Sequence, residues 1–296
     1  MSNLMKSLFY SSLLLITASP AMTAEVEEAA PEVGRNSAVK GIVKIQSTSD
    51  SIFREAVVKE PVFLGDNVNS RIGSSLQVLL KDNSTFTIGP QCDMTIDKFV
   101  YDPTKDNNSM TAKVKKGMFR FTSGKVSKTN PDNIVVTTPT ATMGIRGTMV
   151  EVLVGPEAFL CAEKEGLLQG GIKMDHAGAT LVILRGPGPN TTSVNRHGEV
   201  DITSAGITTK LTESGTGILV SNSGQKPSDP FVVSEDLFNY FNRRLRTQPT
   251  RLGNYKPFVI EDEWFTPFPQ EDEDIEFISP MDSVTDTDWP LQGIDN

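Results

Sequence analysis

Histidine and cysteine are the scarcest chemistry-bearing residues in this chain, with two of each among 296. His176 in "MDHAGA" and His197 in "NRHGEV" both sit in turn-like contexts. They read as surface residues, which leaves little for acid–base catalysis. No G-x-S-x-G elbow and no H-E-x-x-H pair is present. The glycines of "TPTATMGIRGT" (138–148) follow neither the P-loop nor the dinucleotide spacing, and no helical pattern follows them. Two cysteines without a histidine at ligand spacing make no zinc site. "DPTKDNNS" (102–109) lacks the alternating acids and closing glutamate of a calcium loop. The expectation is therefore a protein with no catalytic residue, no metal and no cofactor. An enzyme would instead need a pocket with clustered carboxylates. In an oxidising compartment Cys92 and Cys161 are allowed a single bridge, but their spacing alone does not show that they meet. A basic stripe is also missing, so no nucleic-acid partner is expected.

Long apolar runs are absent after the first residues, so no transmembrane helix is expected in the mature chain. At the N-terminus, Lys6 precedes an apolar run from Leu8 to Ile16, then small residues, then acids from Glu25. That order is the form of a secretory signal peptide over 1–24, cleaved after Ala24, with Ala21 the alternative. The periplasm or the exterior is the expected location. Net charge is −9, yet residues 257–296 hold twelve Asp and Glu and no Lys or Arg, so the remainder is at about +3. The charge belongs to a tail rather than to the body.

What the sequence has is turn residues and short apolar-alternating runs. Residues 25–38 read as a linker. Then "VKGIVKIQ", "SLQVLLKD", "STFTIGP", "MTIDKFV", "TAKVKKGMFRF" and "NIVVTT" each have the length and alternation of a strand. "KDNST" (81–85) reads as a tight hairpin. The texture resumes over 155–230, where Gly206, Gly215 and Gly224 fall nine residues apart, the mark of repeated strand-and-turn units. The fold class expected is all-β, a rolled or solenoid-like domain, with a plain sandwich as the alternative topology.

A helix is predicted within 231–249, over "SEDLFNYFNRRLR". Ser234 is its N-cap, acids fill the first turn, arginines the last, and Leu237, Phe238, Phe241 and Leu245 share one face. It reads as a cap on the open end of the β body, with a partner-docking helix as the alternative. Residues 250–296 are acidic and proline-rich and are expected to be disordered. Trp264, Phe265 and Phe268 are the candidate partner-binding aromatics there.

Residues 39–154 resemble the FecR domain. The carriers are "VKGIVKIQ", then "VFLGDNVNSRIGSSLQVLLKDNSTFTIGPQCDMTI", then "VKKGMFRFTSGKV", and last "VVTTPTATMGIRGTMVEVLV". The resemblance makes "TPTATMGIRGT" a strand signature. Its residues, with the Gly-Asp turn, are Gly65, Asp66, Pro139, Gly144, Arg146, Gly147 and Thr148, all in structural roles. Pro139 would start or edge a strand. Gly144 and Gly147 would allow a bulge or close backbone approach. Arg146 would need an internal partner, Asp66 or Asp82, or else would face a ligand. The family's namesake is a membrane-spanning relay that senses an outer-membrane transporter and controls a sigma factor. This sequence departs from that plan by opening on a cleavable signal with no cytoplasmic region. The resemblance implies an exported, non-catalytic module that binds an envelope protein or a surface glycan. The alternative is a periplasmic sensor that passes a transporter or envelope signal to a partner.

Overall fold

Period-two alternation makes the strands, and the glycines between them decide where the chain passes from one layer to the next. The computed structural model describes residues 30–48, 52–129, 133–168, 173–187 and 198–247. The chain divides into two units, Met1–Pro249 and Thr250–Asn296, and every described residue belongs to the first. The expected leader and acidic tail lie outside the described residues.

In chain order the strands begin with β1 (Glu32–Lys40), β2 (Val43–Gln46), β3 (Phe53–Glu55), β4 (Pro61–Phe63), β5 (Asn67–Ser70) and β6 (Ser75–Leu80). Next come β7 (Thr85–Ile88), β8 (Asp93–Val100), the long β9 (Ser109–Thr122), a single helical turn α1 (Val126–Thr129), β10 (Ile134–Thr137), β11 (Thr142–Arg146) and β12 (Thr148–Val154). After helix α2 (Pro156–Lys164) follow β13 (Thr180–Pro187), β14 (Glu199–Ser204), β15 (Ile207–Leu211), β16 (Thr216–Val220), β17 (Phe231–Val232) and helix α3 (Glu235–Arg244).

The pairings form two layers joined through β9. Sheet A runs β4-β1-β6-β7-β9-β12-β13-β16-β17. Sheet B runs β3-β2-β5-β8-β9-β10-β11-β14-β15. Among these pairs only β9 with β10 is parallel. Sheet order nearly follows chain order in both layers, so the molecule is an all-β roll whose chain shuttles from one sheet to the other. Positive-φ glycines stand at the crossings, at Gly41, Gly65, Gly117, Gly147 and Gly215. Gly117 has the tightest need. Its φ is +91°, and a Cβ there would stand 2.3 Å from the Cα of Cys92. Only a residue without a side chain lets β9 leave β8 and join β7 at that point.

One apolar core fills the space between the sheets. Ile45, Met94 and Met143 from sheet B meet Leu76, Phe86, Phe121 and Val152 from sheet A, with the Phe86 and Phe121 rings 4.8 Å apart. The opposite face of sheet A is apolar too: Met118, Leu153, Leu181, Ile183 and Leu219 alternate with the core residues and are also buried. Helices α2 and α3 cover that face. On α3, Leu237, Tyr240 and Phe241 are buried, and so is Leu245 at its C-cap. Burying side chains of this size contributes roughly 1.5–3 kcal/mol each.

Three expectations are corrected here. The stretch 25–38, expected as a linker, supplies most of β1, which pairs with both β4 and β6. Its polar outward residues hid a strand whose Val33 faces the core. The region 155–230 is not strand throughout. Pro156 opens α2 directly after Gly155, with Glu157 in its first turn and Lys164 in its last. Nine residues with few large apolar side chains gave no helical period to read. Helix α3 does start at the cap Ser234, whose Oγ accepts the Leu237 N–H at 3.1 Å. It lies across the outer face of sheet A rather than on an open end. Its Phe238 contacts Arg185 of β13, and Leu245 stands against Gly89, beyond the end of β7.

Candidate functional site

The signature stretch 138–148 is a structural knot. Pro139 lies in the turn joining β10 to β11, not at a strand start. Three threonines hold that turn. Thr138 and Thr180 share a 2.8 Å hydroxyl contact, and so do Thr140 and Thr180. Thr140 also donates to the Gly178 carbonyl at 2.8 Å. Thr148 is wholly buried. Its N–H donates to Ser123 Oγ at 3.1 Å, its carbonyl accepts from that hydroxyl at 3.0 Å, and its own hydroxyl donates to the Gly186 carbonyl. Gly147 has φ +58° and makes the passage from sheet B to sheet A. Gly144 needs no such freedom. It lies within β11, and a Cβ there would meet only Asp201 Cβ, at 3.8 Å.

Arg146 is paired, but with neither expected acid. It sits opposite Glu199 in the β11–β14 register, and its guanidinium reaches Glu199 Oε1 at 2.7 Å and Asp201 Oδ2 at 2.8 Å. Lys210 of β15 bonds the same two carboxylates. These contacts hold the Lys210 ammonium above its ordinary range, the Glu199 bond foremost. The cluster lies on the outer face of sheet B, with the Arg146 side chain 28% exposed. Asp66 and Asp82 were poor candidates because each serves its own turn. Asp66 accepts the Phe63 N–H at 3.1 Å and the Arg54 guanidinium at 2.9 Å, just after the positive-φ turn at Gly65. Burial pushes the Asp66 carboxyl up, against the pull of that N–H and of Arg54. Asp82 accepts from Ser84 N, Ser84 Oγ and Val126 N, tying the β6–β7 hairpin to α1.

A second charged group lies between sheet A and α3. Glu151 of β12 is fully buried; Arg120 Nε donates to its Oε1 at 2.8 Å, and Arg185 Nε stands 3.4 Å from its Oε2. Asn242 of α3 accepts from Arg185 at 2.9 Å and from Arg120 at 3.5 Å. Burial raises the Glu151 carboxyl's pKa, and the two guanidinia oppose that rise. Two further acids bind α3 to α2: Tyr240 donates to Glu157 at 2.7 Å, and Ser234 N donates to Glu165 at 3.1 Å. Arg120, Glu151 and Arg185 escaped the sequence reading. Each is a charge at an outward position of an apolar stretch of strand, which reads as solvent-facing until a helix covers it.

The cysteines are free, so the bridge considered from the sequence is absent. Cys92 is packed in the core beneath Gly117, whereas Cys161 lies on α2 among Glu157, Arg244 and Glu165. Burial raises both thiols, Cys161 to about 12. His176 is exposed and stacks on Phe159 at 4.3 Å. His197, Trp264, Phe265 and Phe268 lie outside the described residues. Among the described residues no cluster of acids, histidines or cysteines is placed to hold a metal ion. No helix among them is long and apolar enough to cross a membrane.

A comparison with curated proteins found no match. Among solved structures, two crystal structures of a candidate anti-sigma factor from Parabacteroides distasonis ATCC 8503, at 1.65 and 2.50 Å resolution, are similar. Each is 13% identical with a TM-score of 0.38, over 60% of this chain. The chain covers 64% and 63% of those two chains' lengths. Residues 66–162 match the family described as FecR protein, a span that opens on the Asp66 turn and closes inside α2. Strands β1 to β4 precede the match; β1 pairs with β6 and β2 with β5 inside it, and β4 and β3 extend those two outward, so the roll that they complete carries a FecR domain.

Proposed function

We propose that this chain is an exported, non-catalytic FecR-domain protein that works by binding in the cell envelope. One observation carries the reading: the FecR signature residues are engaged in holding the roll together. Asp66 is held by Arg54 and the Phe63 N–H, Thr148 by Ser123 and Gly186, and Arg146 by Glu199 and Asp201. Residues so engaged build a platform, and its surfaces do the recognising. The FecR match names a family and no chemistry. The N-terminal pattern of Lys6, apolar run and small residues supports export.

A sensor role is the second reading, and the seating of α3 favours it. Beside its apolar face, that helix is held by Glu165, Glu157 and the Arg120–Glu151–Arg185 group. A partner that competed for those polar contacts would have a two-position element to act on. Cell fractionation with mass spectrometry of the N-terminal peptide, combined with in-cell cross-linking, tests the proposal. It predicts a chain beginning after Ala21 or Ala24, recovered from the envelope cross-linked to another macromolecule. An uncleaved chain confined to the cytosol overturns it.

A further inference from the structure

Among the described residues the two sheets leave four edges, and three are guarded. β4 is three residues long and opens on Pro61, which has no N–H to offer. β17 is two residues long. β15 displays Lys210. The β3 edge is as short as β4, Phe53–Glu55, but the Ala56 N–H continues its ladder to β2, and from Phe53 to Val57 it carries neither Pro nor Lys. Its one basic residue, Arg54, is turned to Asp66. Phe53 is 47% and Val57 53% exposed there.

The hydrogen-bond phase of this edge is fixed. The Ala56 N–H donates to the Val43 carbonyl at 2.8 Å, in register with the pairs Lys44–Glu55 and Gln46–Phe53. In an antiparallel ladder alternate residues bond inward, so Phe53 and Glu55 aim both their N–H and C=O away from β2. Val57 continues the alternation with its N–H, while its carbonyl is taken by Asn36 and Glu60.

We propose that β3 is the self-interface of a homodimer, pairing antiparallel with β3 of a second copy about a two-fold axis at Glu55. The pattern on either side of Glu55 fits this occupant. With Glu55 opposite Glu55, Phe53 of each copy faces Val57 of the other, so the exposed apolar residues cover one another. Four ladder bonds follow: Glu55 exchanges N–H and C=O with its counterpart, and each Val57 N–H meets a Phe53 carbonyl, while the Phe53 N–H at either end stays outside the ladder because the Val57 carbonyl is taken. A perpendicular two-fold keeps Phe53, Glu55 and Val57 on one face and forbids a one-residue shift. A two-residue shift, with the axis at Arg54, would set Phe53 against Glu55. The like charges at the axis cost stability, and Lys44, opposite Glu55 within each copy, offsets them. Such a contact is isologous and closes at two copies.

Sedimentation of the full chain across a concentration series is the test, with Glu55→Pro, Val57→Lys and Glu55→Gln beside it. Glu55→Pro deletes an outward N–H and leaves the ladder to β2 intact, a position where an edge strand accepts proline. Val57→Lys changes an exposed side chain only. The expected result is a wild-type dimer, monomers for the first two variants with unchanged circular dichroism, and a dimer up to about fivefold tighter for Glu55→Gln. A wild-type chain that stays monomeric throughout overturns the proposal, including one that instead takes up an extended peptide of another protein. So does a dimer that survives both Glu55→Pro and Val57→Lys.

Discussion

Arg120 and Glu151 face each other across β9 and β12, and the guanidinium Nε donates to the carboxylate Oε1 at 2.8 Å beneath a helix that covers both. With Arg185 on the other oxygen, one buried carboxylate answers two half-buried guanidinia. Removing the acid leaves both cations without their counter-ion. Glu151→Ala is expected to cost about 3–5 kcal/mol, the range for breaking a buried pair from one side. Glu151→Gln keeps an acceptor for Arg120 and should cost less. Urea unfolding of the two variants checks this order, and equal midpoints would remove the charge network from the account of how α3 is held.

The acidic side of the stability profile follows from Asp66. Its carboxyl titrates near 3.8 when unfolded and higher when folded, because burial outweighs the Phe63 N–H and Arg54. Between those values the folded state binds more protons than the unfolded one, so stability falls as pH rises through that window. Glu151 acts with the same sign. Asp66→Asn should flatten part of this slope, because asparagine keeps an acceptor for Phe63 and does not titrate. Urea midpoints for wild type and variant, taken from pH 3.5 upward, measure the difference. A parallel pair of curves would show that Asp66 titrates alike in both states.

Strand texture, the Asn83 hairpin and the Ser234 cap could be read from residues alone, because alternation, φ preference and side-chain capping are local properties. Two kinds of feature could not. β1 carries Asn36 and Ser37 among its apolar residues, and its identity comes from pairing with β4 and β6 far along the chain. The Arg146 partners were misjudged for the same reason. Glu199 and Asp201 lie more than fifty residues away, and only the β11–β14 register sets them opposite. The charges under α3 stayed hidden because burial on the outer face of a sheet depends on what later covers it.

The thiols give a test of the packing. Cys92 and Cys161 are free and buried, and burial raises both above the ordinary thiol range. A thiol that is both protonated and enclosed is inert to alkylation. Iodoacetamide should therefore label neither residue in the native chain and both in urea, with the same unfolding midpoint in the presence and absence of reductant. Rapid native labelling of Cys161 would mean that α2 and α3 part readily.

Gly117 and Gly144 separate glycine that the backbone demands from glycine that it merely accepts. At Gly117 a methyl group meets the backbone of Gln91 and Cys92 within 2.5 Å, at a φ of +91°. Neither obstacle is a movable side-chain end, so Gly117→Ala has to shift β8 against β9. A loss of about 3 kcal/mol or more is expected, from strain added to displaced packing. At Gly144 the φ is not positive and the only neighbour is Asp201 Cβ at 3.8 Å. Gly144→Ala should fall within about 0.5 kcal/mol of wild type, as an ordinary surface substitution does. Thermal unfolding of both variants decides the point. A large loss at Gly144 would show that the Arg146–Asp201 cluster cannot accept a methyl group beside it. A small loss at Gly117 would mean that β9 need not turn between the sheets where the glycine now stands.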